Sequence, residues 1–180
     1  KAVNKNNDLN IGVYSWIKGS DVKAINQRCL EQAISFVKSL HQLSKINSLP
    51  FSNLAAGSCL SGRDVVQQIE FRLNRFQSIA NQSLNLFLDN IFIPLWEIVK
   101  REFFFIWPEQ SRDYALDKKY QILSPSDFGF HNAIQGNNEK LTFIDFEYFG
   151  WDDPVKLTAD FIWHPGMSMS SKLIASWKEA

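Results

Sequence analysis

The sequence predicts an α+β fold in which most of the chain is helical and one small β-hairpin carries the notable polar residues. Apolar residues recur at helical spacing over most of the chain. Two short apolar runs, 132–134 and 141–144, flank a polar turn that contains Gly136 and the pair Asn137 and Asn138. A chain of 180 residues is long enough for a domain with a sizeable core.

The predicted hairpin brings oxygen donors together. Pairing 132–134 with 141–144 places Asn132 beside Asp145, and Asp127 lies just upstream on a loop rich in Ser, Pro and Gly. Mg²⁺ prefers oxygen ligands, and phosphoryl transfer needs a partly filled metal site plus a carboxylate that accepts the proton of the attacking hydroxyl. By itself Asp127 would also suit a simple turn. The combination favours a magnesium site at Asn132 and Asp145, with Asp127 as the base.

Two segments carry a family resemblance. SPSDFGFHN and FIDFEYFGWDDP, within 123–154, resemble the catalytic core of the aminoglycoside phosphotransferase and choline kinase family, whose members are small-molecule kinases with a protein-kinase-like fold. Weaker similarity extends from Val13 to about Met167. The resemblance implies that Asp127 is the catalytic base and that Asn132 and Asp145 hold the metal.

The chain departs from the family pattern at two places. Pro125 and Ser126 stand where the family usually has His-Gly before the base, and Leu157 stands where it often has a further Asp. The first departure concerns the geometry of the loop, and the second falls at a position that we expect to be structural.

The resemblance also implies how the chain is organised. Residues 1–19 would be the last strand of an N-terminal lobe and the hinge that leaves it, and 20–180 would be the kinase-like C-terminal lobe. The run 11–17 suits that strand, although a half-buried edge strand explains it equally well. In the family the adenine of ATP or GTP bonds to the hinge backbone, here near Ser15, Trp16 and Ile17. We therefore expect the chain to be part of a longer protein and to be inactive in isolation.

Helical spacing predicts five helices, over 20–44, 63–79, 83–105, from 154 to before His164, and from 169 onward. Ser20 and Asp153 are the expected N-caps of the first and fourth, with Pro154 at the first position of the fourth. Pro94 should kink or split the third. That helix is apolar almost all round, which predicts a central position in a bundle. The expected buried face of the second helix is Val65, Ile69, Leu73 and Phe76.

Other polar residues receive weaker assignments. Glu147 lies two residues beyond Asp145, so on a strand it would share a face with it and could contact a second metal ion or the acceptor. We expect His41 to be a packing or capping residue, and His164 and Asp160 to be helix-end and surface residues.

The segment 106–120 is polar and irregular, and the resemblance implies that it lines the acceptor pocket. Its acidic and basic residues are mixed, which argues against an aminoglycoside as acceptor because such a cationic compound requires a strongly acidic pocket.

Composition excludes several classes of partner. The formal net charge is zero and there is no basic run, which argues against nucleic acid and anionic membrane surfaces. Cys29 and Cys59 lack metal-type spacing and read as free thiols of a reducing compartment. No apolar run is long enough to span a bilayer and no signal peptide is visible, so we expect a cytoplasmic protein.

The sequence thus predicts a small-molecule kinase that uses ATP or GTP and Mg²⁺ to phosphorylate a hydroxyl of a metabolite, sugar or antibiotic-like compound. Two alternatives remain. One is a catalytically inactive kinase-like module that binds nucleotide or serves as a scaffold. The other is an all-helical interaction domain with an incidental hairpin.

Overall fold

The computed structural model describes residues 2–6, 9–46 and 53–180, with side chains from Tyr14 onward. The helices are α1 (Gln27–Ser44), α2 (Gly62–Gln77), α3 (Gln82–Phe87), α4 (Ile93–Ile106), α5 (Glu109–Asp113), α6 (Pro154–Trp163) and α7 (Ser171–Glu179). The strands are β1 (Ala2–Asn6), β2 (Leu9–Val13), β3 (Ser20–Asp21), β4 (Ile122–Ser124), β5 (Ala133–Gln135), β6 (Leu141–Phe143) and β7 (Gly150–Asp152). The described chain is α+β, mostly helical with small antiparallel sheets, as predicted.

The predicted hairpin is present as β5 and β6. The two strands pair antiparallel, with Ala133 opposite Phe143 and Gln135 opposite Leu141. Asn132 lies one residue before β5, in a 3-10 turn, and its carbonyl accepts a hydrogen bond from the Ile144 amide at 2.9 Å. The expected placement of Asn132 level with 143–145 is therefore confirmed.

A third strand on the hairpin corrects the predicted start of the first helix. Ser20 and Asp21 form β3, which pairs with Gln135 and Ile134 of β5, and α1 begins only at Gln27 with Asn26 as its N-cap. Gly19 permits this pairing, because a Cβ there would lie 2.5 Å from an Ile134 methyl. Ser20 is a plausible cap by residue type, but pairing with the sheet takes precedence.

Strand pairing between β4 and β7 was not predicted. Leu123 lies opposite Trp151, and both side chains are buried. Leu54 adds a parallel bridge to Trp151 on the other side. This small sheet lies directly upstream of Asp127 and holds the start of its loop.

The main hydrophobic core lies between α1, α6, α7 and the strands. Phe161 of α6 is fully buried, and its ring stacks on Trp177 at 3.9 Å and on Phe128 at 5.3 Å between centroids. The buried members of this cluster are Cys29, Leu30, Ala33, Ile122, Phe128, Phe130, Leu141, Leu157, Phe161, Ile162, Met167, Leu173 and Trp177.

The second predicted helix is present, but its buried face was predicted wrongly. Ser61 and Asp64 form a capping box that starts α2. Val66, not Val65, is the buried aliphatic residue, and Phe76 is half exposed. The second half of the helix is largely exposed, with Phe71 and Phe76 at 63% and 49% exposure.

The third predicted helix is split before Pro94, as expected. A π-helical turn, Leu88–Phe92, separates α3 from α4, and Pro94 lies in the first turn of α4, where its missing N–H costs least. The predicted central position is wrong. Only Leu88 and Trp96 are buried over 82–106, whereas nine large apolar side chains there are exposed: Leu86, Phe87, Ile91, Leu95, Ile98, Val99, Phe104, Phe105 and Ile106.

The remaining helix predictions hold. Asp153 caps α6 by accepting a hydrogen bond from the Val155 amide at 2.6 Å, and the helix ends before His164. A last helix follows as α7, with Ser170 as its N-cap. In the part of the chain that the structure describes, no helix combines the length and apolarity that crossing a membrane requires.

The amino-terminal strand is shorter than the predicted run 11–17. Strands β1 and β2 form an antiparallel pair that ends at Val13. An extended segment then leads to β3 on the hairpin sheet. The assignment of 1–19 to an N-terminal lobe and hinge, and of 20–180 to a C-terminal lobe, stays a prediction.

Candidate functional site

The site centres on Asp127, which projects from a loop held by the core. Its neighbours in the chain, Phe128 and Phe130, are buried against Phe161 at centroid distances of 5.3 and 5.4 Å. The two buried rings therefore anchor the loop directly after Asp127. The Asp127 side chain is 41% exposed, so a ligand can reach its carboxylate.

Ser126 gives a physical reason for the departure from the family's His-Gly pair. Its φ is 69°, in the left-handed region that glycine adopts without strain. Two hydrogen bonds hold it there: its amide donates to the Ser124 hydroxyl at 3.0 Å, and its own hydroxyl donates to the Ala56 carbonyl at 2.6 Å. The loop thus keeps a glycine-like conformation with a serine.

Asn132 lies against Asp127. Its side-chain nitrogen donates to the Asp127 carbonyl at 2.9 Å and to one carboxylate oxygen, Oδ2, at 3.1 Å. Both partners are acceptors only, so the amide must present its nitrogen to them. The amide oxygen of Asn132 faces away and remains available as a ligand for a hard cation.

Two histidines contact the other carboxylate oxygen. The Nε2 atoms of His131 and His164 each lie 3.1 Å from Oδ1 of Asp127. Their rings stack with centroids 3.9 Å apart and an interplanar angle of 2°. Gly129 makes room for this arrangement, because a Cβ there would lie 2.7 Å from the His131 ring.

The backbone fixes the tautomer of His164. The Gly166 amide donates to Nδ1 of His164 at 3.0 Å, so that nitrogen carries no proton. The neutral ring then carries its proton on Nε2, the atom that lies 3.1 Å from Oδ1 of Asp127. Because Nδ1 accepts from the Gly166 amide and Nε2 faces Asp127, this ring is not a free base.

Asp127, His131 and His164 resemble a metal-binding triad, since their ligand atoms lie within 4.8 Å of one another. One feature opposes this role. A ligating histidine usually donates its second ring N–H to an acceptor, whereas Nδ1 of His164 accepts. We therefore interpret the two histidines as a clamp on one oxygen of Asp127.

Asp145 follows the hairpin at its open end. It is exposed and has a φ of 62°, an uncommon left-handed conformation for a residue other than glycine. The preceding residue, Ile144, bonds to the Asn132 carbonyl, so the backbones of the two proposed metal ligands are joined. A carboxylate held in strained backbone next to this amide suits a ligand-binding role.

The predicted geometry for Glu147 is wrong. Residues 144–149 form a loop and turn, so Glu147 and Asp145 do not share a face of a strand. Glu147 instead accepts a hydrogen bond from Tyr148. This bond and the charge of Glu147, followed by burial and the charges of Asp145 and Asp127, raise the pKa of the Tyr148 hydroxyl. All three carboxylates therefore lie around one tyrosine.

The proposed hinge residues lie on the segment that enters the hairpin sheet. Ser15 and Trp16 are exposed, Trp16 by 89%, and Ile17 is half-buried. The next residues join β3, which pairs with β5 just beyond Asn132. Nucleotide binding by these three residues stays a prediction.

A buried ion pair lies at the start of α6, which borders the space in front of Asp127. Asp152 is fully buried and accepts hydrogen bonds from the Cys59 and Asp153 amides at 3.1 and 2.8 Å. The Lys156 ammonium lies 3.3 Å from Asp152 and 2.6 Å from Asp160. Burial lowers the pKa of Lys156, but the hydrogen bond to Asp160 and the charge of Asp152 outweigh it and raise the pKa overall.

Two cavities lie on either side of the Lys156 and Asp160 pair. The smaller has a volume of about 440 Å³ and includes Asp127 and His164 in its lining. The larger, of about 1010 Å³, is lined in part by residues of 107–120, the segment expected to border the acceptor pocket. Gln68, Lys156 and Asp160 line both.

Sequence reasoning missed both histidines of the clamp. His164 was assigned to the end of a helix, which is where it lies, but its ring reaches Asp127. Only the folded chain brings these two positions together. His131 could have been found, since it lies four residues after Asp127 and next to Asn132.

Comparison of the chain with protein-family models, with curated proteins and with solved structures returned no match. The function is therefore argued from the residues and the geometry of this site.

Proposed function

We propose that this chain carries the catalytic site of a small-molecule kinase, a phosphotransferase that moves the γ-phosphoryl group of ATP or GTP to a hydroxyl of a metabolite, sugar or antibiotic-like acceptor. The observation that carries the proposal is the contact between Asp127 and Asn132 at the start of the hairpin that ends at Asp145. A base, an amide and a second carboxylate in this order are the parts that kinase catalysis requires. A cytoplasmic location belongs to the same proposal.

Asp127 would orient the acceptor hydroxyl and take its proton. The hydroxyl oxygen then forms a bond to the γ-phosphorus, the bond from that phosphorus to the bridging oxygen breaks, and the nucleoside diphosphate leaves with the electron pair. Asn132 and the two histidines hold the Asp127 carboxylate in one orientation. Fixing a reacting group in this way lowers the entropic part of the barrier.

The residues fit a magnesium ion. The free amide oxygen of Asn132 and the exposed carboxylate of Asp145 are oxygen ligands, and such ions take few protein ligands when phosphates supply the others. When bound, Mg²⁺ neutralises charge on the phosphate oxygens. Glu147 lies on a turn and not on a strand with Asp145, so we assign it no catalytic role.

A second candidate function is a kinase-like module that binds nucleotide or serves as a scaffold without catalysis. The observation that favours it is the occupancy of the Asp127 carboxylate: both histidines contact Oδ1 at 3.1 Å, and Oδ2 accepts from Asn132. A base with this many donors is less able to accept another proton. The two candidates differ in turnover and agree on nucleotide binding.

The test is phosphoryl transfer by the full-length protein and by its Asp127→Asn variant, with ATP, Mg²⁺ and a panel of sugars and amino alcohols, followed by mass spectrometry. Losing a general base should reduce turnover by roughly 10²–10⁴-fold. Nucleotide affinity should change little, because Asn132 and Asp145 remain.

An Asp89→Asn variant, which changes an exposed carboxylate on the π-helical turn, is the matched control and should retain full activity. Equal turnover by Asp127→Asn and the unmodified protein would refute the base assignment. Nucleotide binding without turnover on any acceptor would favour the second candidate.

A further inference from the structure

The smaller cavity is the space into which Asp127 opens. Helix α2 forms one wall and the end of α6 the other, with Ser126 and Asp127 at the base. Its volume of about 440 Å³ falls within the range of roughly 300–1,000 Å³ usual for small-molecule sites. A ligand of monosaccharide size fits this space with a hydroxyl directed to Asp127.

The charged groups around this cavity have polar partners except at one residue. Lys156 and Asp160 pair with each other at 2.6 Å, and Lys156 also pairs with the buried Asp152. Asp127 is contacted by two imidazole nitrogens at 3.1 Å and by the Asn132 amide. Arg72 lines the same cavity, and the side chains of the described residues offer it no acidic partner.

Arg72 is placed to meet a ligand. It follows Gln68 by four residues on α2, so the two side chains lie on one face of the helix. The amide of Gln68 is turned toward the loop by its hydrogen bond to the Gly57 carbonyl at 2.8 Å. Trp163, 76% exposed, adds an aromatic surface on the opposite wall. The guanidinium is therefore the free charged group of a mixed polar and aromatic site.

We propose that the acceptor is a hydroxylated compound with an anionic group, a carboxylate or a phosphate ester of monosaccharide size, whose anion pairs with Arg72. The planar guanidinium matches either oxyanion with two parallel hydrogen bonds. The Asp160 carboxylate is already paired with Lys156 at 2.6 Å, which limits its repulsion of this group. The identity of the acceptor rests on the proposed kinase function, but the anion site can be tested without it.

The experiment measures equilibrium binding of four sugars with one ring framework to the full-length protein, by calorimetry and without nucleotide. Glucose is neutral, glucosamine is cationic, glucuronate carries a carboxylate and glucose 6-phosphate carries a phosphate. We expect at least one anionic sugar to bind about tenfold or more tightly than glucose, since hydrogen bonds to charged groups are worth that much. Whichever anionic sugar binds more tightly distinguishes a carboxylate from a phosphate.

Arg72→Gln should remove this preference, because glutamine keeps a polar side chain without the charge. Arg75→Gln is the matched control and should keep it: Arg75 is on the same helix, lies over the Phe71 ring at 5.9 Å and does not line the cavity. The proposal is overturned if neither anionic sugar binds, if glucose or glucosamine binds as tightly, or if the preference survives Arg72→Gln. A kinase that prefers a neutral acceptor would show turnover but no preference for anionic sugars. A protein that binds an anionic sugar without catalysis would show the preference but no turnover.

Discussion

Helices α4 and α6 are about equally apolar, yet they occupy opposite environments. Leu157, Phe161 and Ile162 of α6 are buried among α1, α7 and the strands. Of α4, Trp96 alone is buried, although the helix carries three consecutive phenylalanines. Apolar content predicted a central position for the helix that became α4, and this prediction is wrong.

The difference follows from what each helix can pack against. Helix α6 begins at the sheet formed by β4 and β7 and stacks its central phenylalanine between Trp177 and the loop of Asp127. Helix α4 follows a π-helical turn and contacts chiefly that turn. The residues that hold the candidate site are therefore those of the α6 region, and the site should be insensitive to changes on α4.

The largest expected effect comes from truncating the central ring of the α6 region. Phe161→Ala should lower the free energy of unfolding by about 3–5 kcal/mol, because it leaves a cavity beneath Phe128 and Phe130. Phe105→Ala is the matched change on α4, where the side chain is 87% exposed, and should cost less than about 0.5 kcal/mol. Urea denaturation measures both.

Equal destabilisation by the two substitutions would contradict the contrast between the helices. A large loss for Phe105→Ala alone would mean that α4, and not α6, is packed in the folded protein.

A smaller effect concerns Cys59, which lies just before α2. Its backbone amide donates a hydrogen bond to the Asp152 carboxylate next to α6. Burial raises the pKa of its thiol from 9.0 to about 11, and the nearby Asp152 and Asp64 carboxylates add to the rise while Lys156 opposes it. A raised folded-state pKa gives stability that is complete below the unfolded pKa and is lost on passing through the folded one. The free energy of unfolding should therefore decline between pH 9.0 and about 11.

Chemical denaturation across this pH range measures the decline, and Cys59→Ala should reduce it. An unchanged decline in Cys59→Ala would show that this thiol is not the group responsible.

The parts of the fold that sequence could predict depend on local signals. The Gly-Asn-Asn turn specified the hairpin, Asp153 and Pro154 specified the start of α6, and Pro94 specified the break before α4. The pairing of β4 with β7 and the exposure of α4 depend on contacts between distant parts of the chain. No local pattern contains them.

The same distinction applies to the candidate site. Asp127 and Asn132 are only five residues apart in the chain, and the predicted hairpin placed Asn132 beside Asp145. His164 and Arg72 reach the Asp127 cavity from separate helices, so only the folded chain brings them to it. Ser126 illustrates a third case. It stands where the kinase family usually has glycine, and its left-handed backbone conformation shows that the loop keeps a glycine-like shape.

The most direct test of the central claim is a thermal-shift titration of the full-length protein with ATP and Mg²⁺, beside its Asp145→Ala variant and an exposed control on α4, Glu102→Ala. A nucleotide at one hundred times its dissociation constant stabilises the native state by about 2.7 kcal/mol. We predict a magnesium-dependent rise in melting temperature for the unmodified protein and for Glu102→Ala, and none for Asp145→Ala. A rise of the same size in Asp145→Ala, or no rise in the unmodified protein, would contradict the assignment of this site to a metal-bound nucleotide.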